Sequence, residues 1–502
     1  MRHPPLLLLV LWLGATLCSS VTAADKWLFG ETENFEISSN ASERRTKLII
    51  EDLQLVQAVF KQLNPALSGA TSRRLRVVIC KDDKTMDTIA PLYNEKPKKL
   101  GGMFSRDYEG GYILINLEGD FEQSKTIVYH EFVHFLVNKR KVRLPAWLSE
   151  GLAEVFSTIE PSGRKKVVIG NPPYGNVNVL LDRKMIPLDR LFRISHASSE
   201  YNSDDHGRGV FYAQSWALVH YFMFGNTDLP KDAYKRFVSV ILKEHYLTEE
   251  RFIEIFGIDY KEMEKRLDRY IRSGRYYMSK PDRPEIEGTD DLDLRAGESG
   301  EENLVIGSIR LSTRGASAGA GYILSAYREL PDSADAAAYM GYLNYRNENF
   351  EEADRYLSEA IERGSSSPAT YLWSAIAKFR TLNPLGSVDQ RNLDLKTTVK
   401  LMRLLFKARE LGESRPELYV TIGRVWNNST ETLTEGNLRV LFEGSRLHRD
   451  DAQIGFYLAL LVNRVGDQEN AKLLIDHYLS MDLKTGERKN FEWLIDFMEQ
   501  EG

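Results

Sequence analysis

Hydrophobic and polar positions divide the chain into regions of different periodicity. The first region, residues 25–125, mixes two patterns. Alternating apolar residues at 34–39, 75–80 and 111–116 predict strands, and helical spacing at 43–63 predicts a long helix. Short strands together with a long helix indicate an α+β fold, with a mixed α/β sheet at its N-terminal end.

The remainder of the chain is predicted to be helical, with one polar interruption. Residues 126–278 show helical spacing, and the last helix ends at Gly274, a residue type that commonly ends helices. Residues 279–302 are acidic, rich in Pro and Gly, and lack periodic apolar residues, so they are predicted to form a linker. Residues 303–502 return to helical spacing and form a separate all-α region.

The last region contains a repeated pattern. Residues 336–364 have the spacing of a tetratricopeptide repeat, in which small residues let two antiparallel helices approach closely. The positions that carry this pattern are Gly341, Ala353, Leu357 and Ala360. Residues 452–479 show the same pattern, with Ala471 in the matching small position, and 369–381 and 397–426 offer further helix pairs. The alternative is a generic α-helical domain.

Length and charge limit the class of protein. A chain of 502 residues is too long for one core, so two or three domains are expected. The formal net charge is -6, from 66 basic and 72 acidic residues. This balance provides no electrostatic footprint for nucleic acid.

The N-terminus predicts export. Residues 1–24 combine a short basic start, a brief apolar run and small residues suited to cleavage, which is typical of a signal peptide. The apolar run is too short for a spanning helix, and an uncleaved anchor is the alternative. Cleavage would remove Cys18 and leave Cys80 without an internal disulfide partner, which favours a bacterial periplasm over a eukaryotic extracellular space. Cys80 is predicted to be a small buried residue.

A short motif on a predicted helix carries the candidate chemistry. The stretch TIVYHEFVHFLV contains His-Glu-x-x-His, with His130, Glu131 and His134. Residues four apart share one face of a helix, so both imidazoles can reach one cation, and Glu131 can contact a bound water without being a ligand. Zinc peptidases need this arrangement, because two neutral nitrogens hold Zn²⁺ and a carboxylate takes the water proton. The alternative is a helix that carries two histidines by chance.

A zinc site needs a third protein ligand, and the following helix offers one. Val137 and Arg140 stand where a metzincin carries Gly and His, so that continuation fails. The segment LPAWLSEGLAEVF begins a new helix at Pro145 and places Glu150 and Glu154 one turn apart. Two carboxylates facing a buried histidine pair are costly unless they are paired or ligated. We therefore assign Glu150 as the third ligand and Glu154 as an acceptor for a ligand histidine N–H, the alternative being a solvated acidic face.

These two segments together resemble the gluzincin zinc peptidases, and specifically the peptidase MA-like group of exported bacterial proteins. The resemblance implies a helical zincin catalytic domain in which His130, His134 and Glu150 bind one Zn²⁺ ion. It also implies that Glu131 is the general base and that Glu154 supports a ligand histidine. The likeness is specific over residues 126–157 and diffuse over about 26–275.

The chain departs from the clan's aminopeptidases in two places. Ser149 precedes Glu150 where those enzymes carry Asn, and the interval from His134 to Glu150 is shorter than in them and in thermolysin. Both features favour the MA-like branch. Phe104 follows Met103 where aminopeptidases carry the Glu that binds the substrate amine. An endopeptidase is therefore favoured.

Other parts of a catalytic cleft are also predicted. Amide hydrolysis needs a donor for the oxyanion, which gluzincins commonly take from a Tyr or His on a later helix. Tyr212 is our candidate, because it opens an apparent helix after a polar loop, although a structural aromatic role is the alternative. Other available groups are His206, His220 and Tyr221. In gluzincins a strand upstream of the zinc helix edges the cleft and can pair with extended peptide, and residues 101–105 and 111–116 stand there.

The sequence therefore supports a main expected function and an alternative to it. The first is an exported zinc metallopeptidase, with Glu131 as general base and with repeats that dock a protein substrate or a partner on a concave face. The second is a periplasmic interaction protein in which the repeats carry the function and the zinc site is structural or inactive. Substrate identity and oligomeric state do not follow from the sequence.

Overall fold

The fold was obtained as a computed structural model. It describes residues 26–67, 74–118, 121–138, 144–195, 198–202, 206–225, 229–244, 247–286, 291–383, 391–481 and 483–501. The predicted signal peptide, residues 1–24, lies outside the described residues. Within the described part of the chain, no helix combines the length and the apolar character that crossing a bilayer requires.

The chain is mostly helical and contains a small mixed sheet. The strands are β1 (Leu28–Glu31), β2 (Phe35–Ser39), β3 (Leu75–Cys80), β4 (Leu92–Tyr93), β5 (Lys96–Pro97), β6 (Gly102–Arg106), β7 (Gly111–Asn116), β8 (Glu160–Ser162), β9 (Lys166–Val168) and β10 (Arg295–Ala296). The helices before residue 280 are α1 (Glu43–Leu63), α2 (Asp83–Ile89), α3 (Phe121–Asn138), α4 (Ala146–Phe156), α5 (Tyr174–Asp182), α6 (Leu188–Leu191), α7 (Ser199–Asn202), α8 (His206–Phe224), α9 (Ala233–Glu244), α10 (Glu249–Phe256) and α11 (Tyr260–Ser273).

Further helices fill the last region. They are α12 (Ser299–Arg314), α13 (Ala316–Glu329), α14 (Ala334–Arg346), α15 (Phe350–Glu362), α16 (Pro368–Leu382), α17 (Leu395–Glu410), α18 (Pro416–Asn428), α19 (Glu435–Leu447), α20 (Ala452–Arg464), α21 (Gln468–Leu479) and α22 (Thr485–Glu501). The predicted strands and the long helix of the first region match β2, β3, β7 and α1. Gly274 follows α11 with φ 62°, as expected of a residue that ends a helix.

Six strands form one mixed sheet in the order β10-β1-β2-β3-β7-β6. The central strands β2, β3 and β7 are parallel, while β6 runs antiparallel to β7 at one end of the sheet. Strand β3 is buried on both faces, which is usual for a parallel strand. Val77 joins the core beneath α1 and α3, whereas Val78 and Cys80 join the core beneath α2 and α12. Cys80 is buried, and this burial raises the pKa of its thiol to about 12.

The helices that follow the sheet pack around α4. Gly151 lies where α4 crosses α8, and a Cβ added there would stand 2.4 Å from the Ser215 carbonyl oxygen. Only a glycine permits this close approach of the two backbones. Trp147 and Trp216 are buried on the same two helices and fill the space beside the crossing. The crossing therefore fixes α4, the helix that carries Glu150, against the core.

The segment predicted as a linker lies against the first two regions. Ser279 and Ile169 exchange backbone hydrogen bonds, and Arg283 forms a 2.8 Å ion pair with Glu51 of α1. Leu292 is buried in the main core, and β10 pairs with β1. The described part of residues 279–302 therefore adds a strand to the sheet and leads directly into α12.

The last region is an array of antiparallel helix pairs. The tight positions match the repeat pattern, because a Cβ at Gly341 of α14 would stand 2.5 Å from the Leu357 side chain of α15. Ala353, Leu357 and Ala360 are fully buried, and Ala471 is buried in α21. The first helices of successive pairs, α14, α16, α18, α20 and α22, neighbour one another and form the inner layer of the array.

Candidate metal centre

Two helices bring the predicted metal ligands together. His130 and His134 lie one turn apart on α3, and α4 packs against α3 with Glu150 pointing at the pair. Val128, Phe132, Val133 and Leu136 hold α3 in the core. Ile127 of the same helix is 47% exposed.

Three side-chain atoms converge on one point. The Nε2 atoms of His130 and His134 are 3.1 Å apart, and Glu150 Oε2 lies 3.3 Å from the former and 3.2 Å from the latter. Zinc bonds of about 2.0–2.2 Å at tetrahedral angles separate neighbouring ligand atoms by about 3.3–3.6 Å, so the three atoms lie at or slightly inside that spacing. They could hold one metal ion between them. We call His130, His134 and Glu150 the His-His-Glu triad.

The outer nitrogens of both histidines have partners that orient the rings. His134 Nδ1 lies 3.0 Å from Ser149 Oγ, and His130 Nδ1 lies 3.2 Å from Glu154 Oε1. A carboxylate is only an acceptor, so the Nδ1–H group of His130 donates to Glu154 and its Nε2 atom faces the triad centre. Glu154 in turn accepts a 2.8 Å hydrogen bond from Asn176 Nδ2.

The third ligand is also oriented from outside. Tyr201 donates its hydroxyl to Glu150 Oε1 over 2.9 Å, which leaves Oε2 for the triad centre. The Glu150 side chain is 2% exposed, whereas both histidines are 16% exposed. The site is therefore closed on the side of α4 and open on the side of the imidazoles, as a site with an open coordination position requires.

The charges of the cluster stabilise positive charge on His130 between two carboxylates. Burial opposes a charged His130, but hydrogen bonds with Glu150 and Glu154 outweigh it and raise the pKa of the imidazole to about 10. Burial would raise the pKa of Glu150, yet hydrogen bonds with His130 and His134 lower it well below its usual range. Burial beside Glu150 raises the pKa of Tyr201, so its hydroxyl stays protonated as a donor. Two carboxylates thus face the imidazoles and attract positive charge to the centre.

The other predicted site residues lie at different distances from the triad. Glu131 is partly buried on α3, one residue after His130. The Tyr212 ring stacks on the His130 ring, with centroids 6.3 Å apart, and Tyr212 also packs against Tyr201. His220 is turned away from the site. Its Nε2 lies 2.8 Å from the Gly170 carbonyl oxygen, and its Nδ1 lies 2.8 Å from the Tyr270 hydroxyl.

Tyr221 and His206 are the remaining alternatives to Tyr212. Tyr221 is buried against the Tyr270 ring, with centroids 5.1 Å apart. The side chain of His206 lies outside the described part of the chain. Among the candidates whose side chains are described, Tyr212 packs against the ring of His130.

Three residues of the site escaped prediction from the sequence. Ser149 was noted only as a departure from a family pattern, yet its hydroxyl contacts a ligand histidine. Asn176 lies on α5, at the start of which the chain is rich in Pro, Gly and Asn and shows no pattern that marks this residue. Tyr201 lies on the short helix α7, where no periodic pattern marks it. The one available signal was the position of Ser149 directly before Glu150.

The comparisons with known proteins describe parts of the chain. A protein-family model described as "Protein of unknown function (DUF1570)" matches residues 124–241. That range includes every residue of the site described above and excludes both the sheet and the helical array. No curated protein matches this chain. Because the family description assigns no activity, the resemblance to gluzincins stays a prediction.

Solved structures of helical-repeat proteins resemble the chain weakly. YrrB, described as a TPR protein with an unusual peptide-binding site, is 13% identical, with a TM-score of 0.30, covering 37% of this chain and 87% of that one. TTC0263, a thermophilic TPR protein in Thermus thermophilus, is 15% identical, with a TM-score of 0.30, covering 39% and 98%. MamA from Desulfovibrio magneticus RS-1 is 10% identical, with a TM-score of 0.31, covering 37% and 99%.

Proposed function

We propose that this chain is an exported, zinc-dependent peptidase of the gluzincin type. The convergence of His130 Nε2, His134 Nε2 and Glu150 Oε2 at mutual distances of 3.1–3.3 Å carries the proposal. The outer partners of the rings support it further, because a hydrogen-bonded Nδ1 directs the Nε2 lone pair toward a metal. Export is proposed from the N-terminal sequence.

The residues of the chain divide the work of peptide hydrolysis. A zinc ion held by the triad would polarise the scissile carbonyl and acidify a bound water. The Glu131 carboxylate would accept the proton of the attacking water as the C–O bond forms. Glu131 would then deliver that proton to the amine nitrogen as the C–N bond breaks. Tyr212, beside His130, would donate a hydrogen bond to the developing oxyanion.

Strand β6 offers a place for an extended substrate. Asp107 N donates to Gly110 O and Asn116 N donates to Gly101 O. In an antiparallel pair every second residue is hydrogen-bonded to the partner strand, so the backbone N–H and C=O groups of residues 103 and 105 also face β7. The backbone groups of Gly102 and Phe104 therefore point away from β7, at the end of the sheet. An extended peptide could pair with them and lie along the zinc helix, since α3 packs directly on β6.

Metal analysis and cleavage assays test the proposal. The full chain is expected to hold one zinc ion and to cleave casein or a reporter peptide. Glu131→Gln should keep the zinc and lower kcat by about 10²–10⁴-fold, because it loses the base and no ligand. Glu351→Gln, at an exposed position of α15, is the matched control and should cleave like the natural chain. Equal cleavage by Glu131→Gln and the natural chain would end the mechanism.

A second candidate is a protein-interaction role of the repeats with a structural or inactive metal site. The array of helix pairs favours it, because stacked pairs present an extended inner surface to protein or peptide ligands. The retained Glu131 favours the enzyme, since a purely structural site has no need of that carboxylate. A zinc-loaded chain without cleavage, whose cellular phenotype is unchanged by Glu131→Gln, would support the interaction role instead.

A further inference from the structure

The turn that joins β6 to β7 leaves the sheet as a rigid tip. Asp107 N donates to Gly110 O over 2.8 Å, and the Asp107 carboxylate accepts hydrogen bonds from the backbone N–H groups of Glu109 and Gly110. Gly110 has φ 132°, which favours glycine there. We call residues 107–110 the hairpin tip. Its side chains point into another region of the molecule.

Tyr108 of the hairpin tip is fully buried among the repeats. Its ring stacks on Tyr342 of α14 at 4.7 Å between centroids and meets Tyr339 edge-on at 5.5 Å. The Trp373 ring of α16 lies 6.2 Å away, and the Tyr108 hydroxyl is 3.3 Å from Thr370 Oγ1. Tyr108 thus belongs to the aromatic core of the repeats and not to the core of its own sheet.

Polar contacts hold the backbone and flank of the hairpin tip. Arg415, which precedes α18, donates from Nη1 to the Tyr108 carbonyl oxygen over 2.9 Å. Ser367, which caps α16, donates to the Glu109 carboxylate over 2.5 Å. The first helices of three consecutive pairs, α14, α16 and α18, therefore contribute to one contact. The tip fills this part of the inner layer of the array.

The other end of β6 reaches the zinc helix. A Cβ at Gly102 would stand 2.6 Å from the Val128 side chain, so α3 lies directly on this end of the strand. Val128 is two residues before His130. Tyr108 follows Gly102 by six positions, a distance of about 20 Å at a rise of about 3.3 Å per residue. One short strand thus connects the inner layer of the repeats to the candidate metal centre.

We propose that the repeats hold β6 in its working position through the hairpin tip, with Tyr108 as the positioning residue. Among the strands that the structure describes, β6 pairs with β7 alone, and edge strands tend to open locally. Anchoring its far end in a packed aromatic core restricts that opening. The effect on substrate binding rests on the proposed peptidase function, whereas the effect on β6 itself does not.

Hydrogen exchange tests the anchoring without any assay of activity. The amides of Met103 and Ser105, which face β7, should exchange at least about tenfold faster in Tyr108→Ala than in the natural chain. Tyr108→Phe keeps the ring and should exchange at the natural rate. Tyr478→Ala removes an equally buried tyrosine from the distant end of the repeats and controls for general destabilisation. Unchanged exchange in Tyr108→Ala, or equal acceleration in Tyr478→Ala, would overturn the proposal.

Two additions keep the test decisive. Should Tyr108→Ala not fold, Tyr108→Leu retains an apolar side chain in the core and should still accelerate exchange by about threefold. For an extended peptide substrate, Tyr108→Ala should raise KM about tenfold with kcat within about twofold and zinc content unchanged. A natural chain that binds zinc but cleaves nothing would refute the peptidase function alone, whereas unchanged exchange would refute the anchoring alone.

Discussion

Two buried polar clusters in this molecule differ in how their charges are arranged. In the His-His-Glu triad, the facing ring nitrogens of the two histidines and one carboxylate oxygen of Glu150 lie 3.1–3.3 Å from one another. At the hairpin tip, the Arg76 guanidinium pairs with the Asp107 carboxylate and donates to the Tyr339 hydroxyl over 2.7 Å. In this second cluster a cation and an anion pair directly with each other. The first cluster brings three atoms that could hold a metal ion to one point, whereas the second is an ion pair between two opposite charges.

Replacement of Glu150, the charged member of the triad, should have the largest effect on zinc affinity. Glu150→Gln replaces a carboxylate ligand with a neutral amide, so zinc affinity should fall by at least about 10³-fold, or roughly 4 kcal/mol. Competition with a chromophoric chelator measures it. Glu413→Gln changes another buried carboxylate, which pairs with Arg415, and should leave zinc affinity unchanged. Undiminished zinc binding by Glu150→Gln would remove Glu150 from the ligand set.

Breaking the ion pair between Arg76 and Asp107 should lower the free energy of unfolding and leave zinc affinity unchanged. Arg76→Met leaves the buried Asp107 carboxylate without its cation, at a cost of about 3–5 kcal/mol in the free energy of unfolding. Adding Asp107→Asn to Arg76→Met should recover part of that loss, because the buried charge is gone. Denaturation followed by tryptophan fluorescence gives the stability. Zinc affinity should stay constant, and a parallel loss of zinc would contradict the separation of the two clusters.

His220 extends the comparison to a structural histidine. Burial lowers the pKa of His220 from 6.5 to about 4, although its bond to Gly170 acts in the opposite direction. Between pH 6.5 and pH 4, His220 is therefore protonated in the unfolded chain but largely neutral in the folded one. The neutral imidazole contributes fully to the free energy of unfolding above pH 6.5, and that free energy falls by about 3 kcal/mol as the pH drops to 4.

The change that tests this contribution is His220→Gln. Between pH 7 and pH 4 the free energy of unfolding of the natural chain should decrease by about 3 kcal/mol more than that of His220→Gln. Denaturant titrations at a series of pH values measure the difference. His477→Gln, at an exposed position, should keep the natural pH dependence. Identical pH profiles for His220→Gln and the natural chain would show that His220 does not resist protonation.

Replacement of Glu154, the hydrogen-bond partner of His130, should have the smallest effect of these changes. Glu154→Gln weakens the orientation of His130 but removes no ligand, so zinc affinity should fall by about 10–100-fold. The same chelator competition resolves this from the larger loss in Glu150→Gln. Glu160→Gln, an exposed carboxylate after α4, serves as the control. A loss in Glu154→Gln as large as that in Glu150→Gln would make Glu154 a ligand in its own right.

The predictable part of the site came from local spacing. His130 and His134 share a face because residues four apart on any α-helix do so. Glu150 required the further assumption that the next helix packs against α3, and Gly151 at the crossing with α8 is what permits α4 to lie there. Tyr201 lies 51 residues from Glu150 in sequence, and no periodic pattern relates the two.

The fold likewise has elements that local sequence patterns predict and elements that they do not. The strands at 75–80 and 111–116 and the helix pair at 336–364 follow from alternation and from small residues at helix spacing. Residues 279–302 illustrate the limit of such patterns. Their composition is that of a linker, yet β10 completes the sheet because an edge strand needs few apolar residues of its own.

From the sequence alone come the secondary-structure elements, the His-Glu-x-x-His motif on α3 and the repeat pattern, because each depends on residues within a turn or two of one another. Only the tertiary structure decides that Glu150 Oε2 meets both imidazoles, that Tyr201 and Asn176 support the ligands, and that Tyr108 enters the repeats. Those contacts depend on how helices and strands pack across long sequence separations. Packing is set by the shapes of many side chains together, which no single spacing encodes.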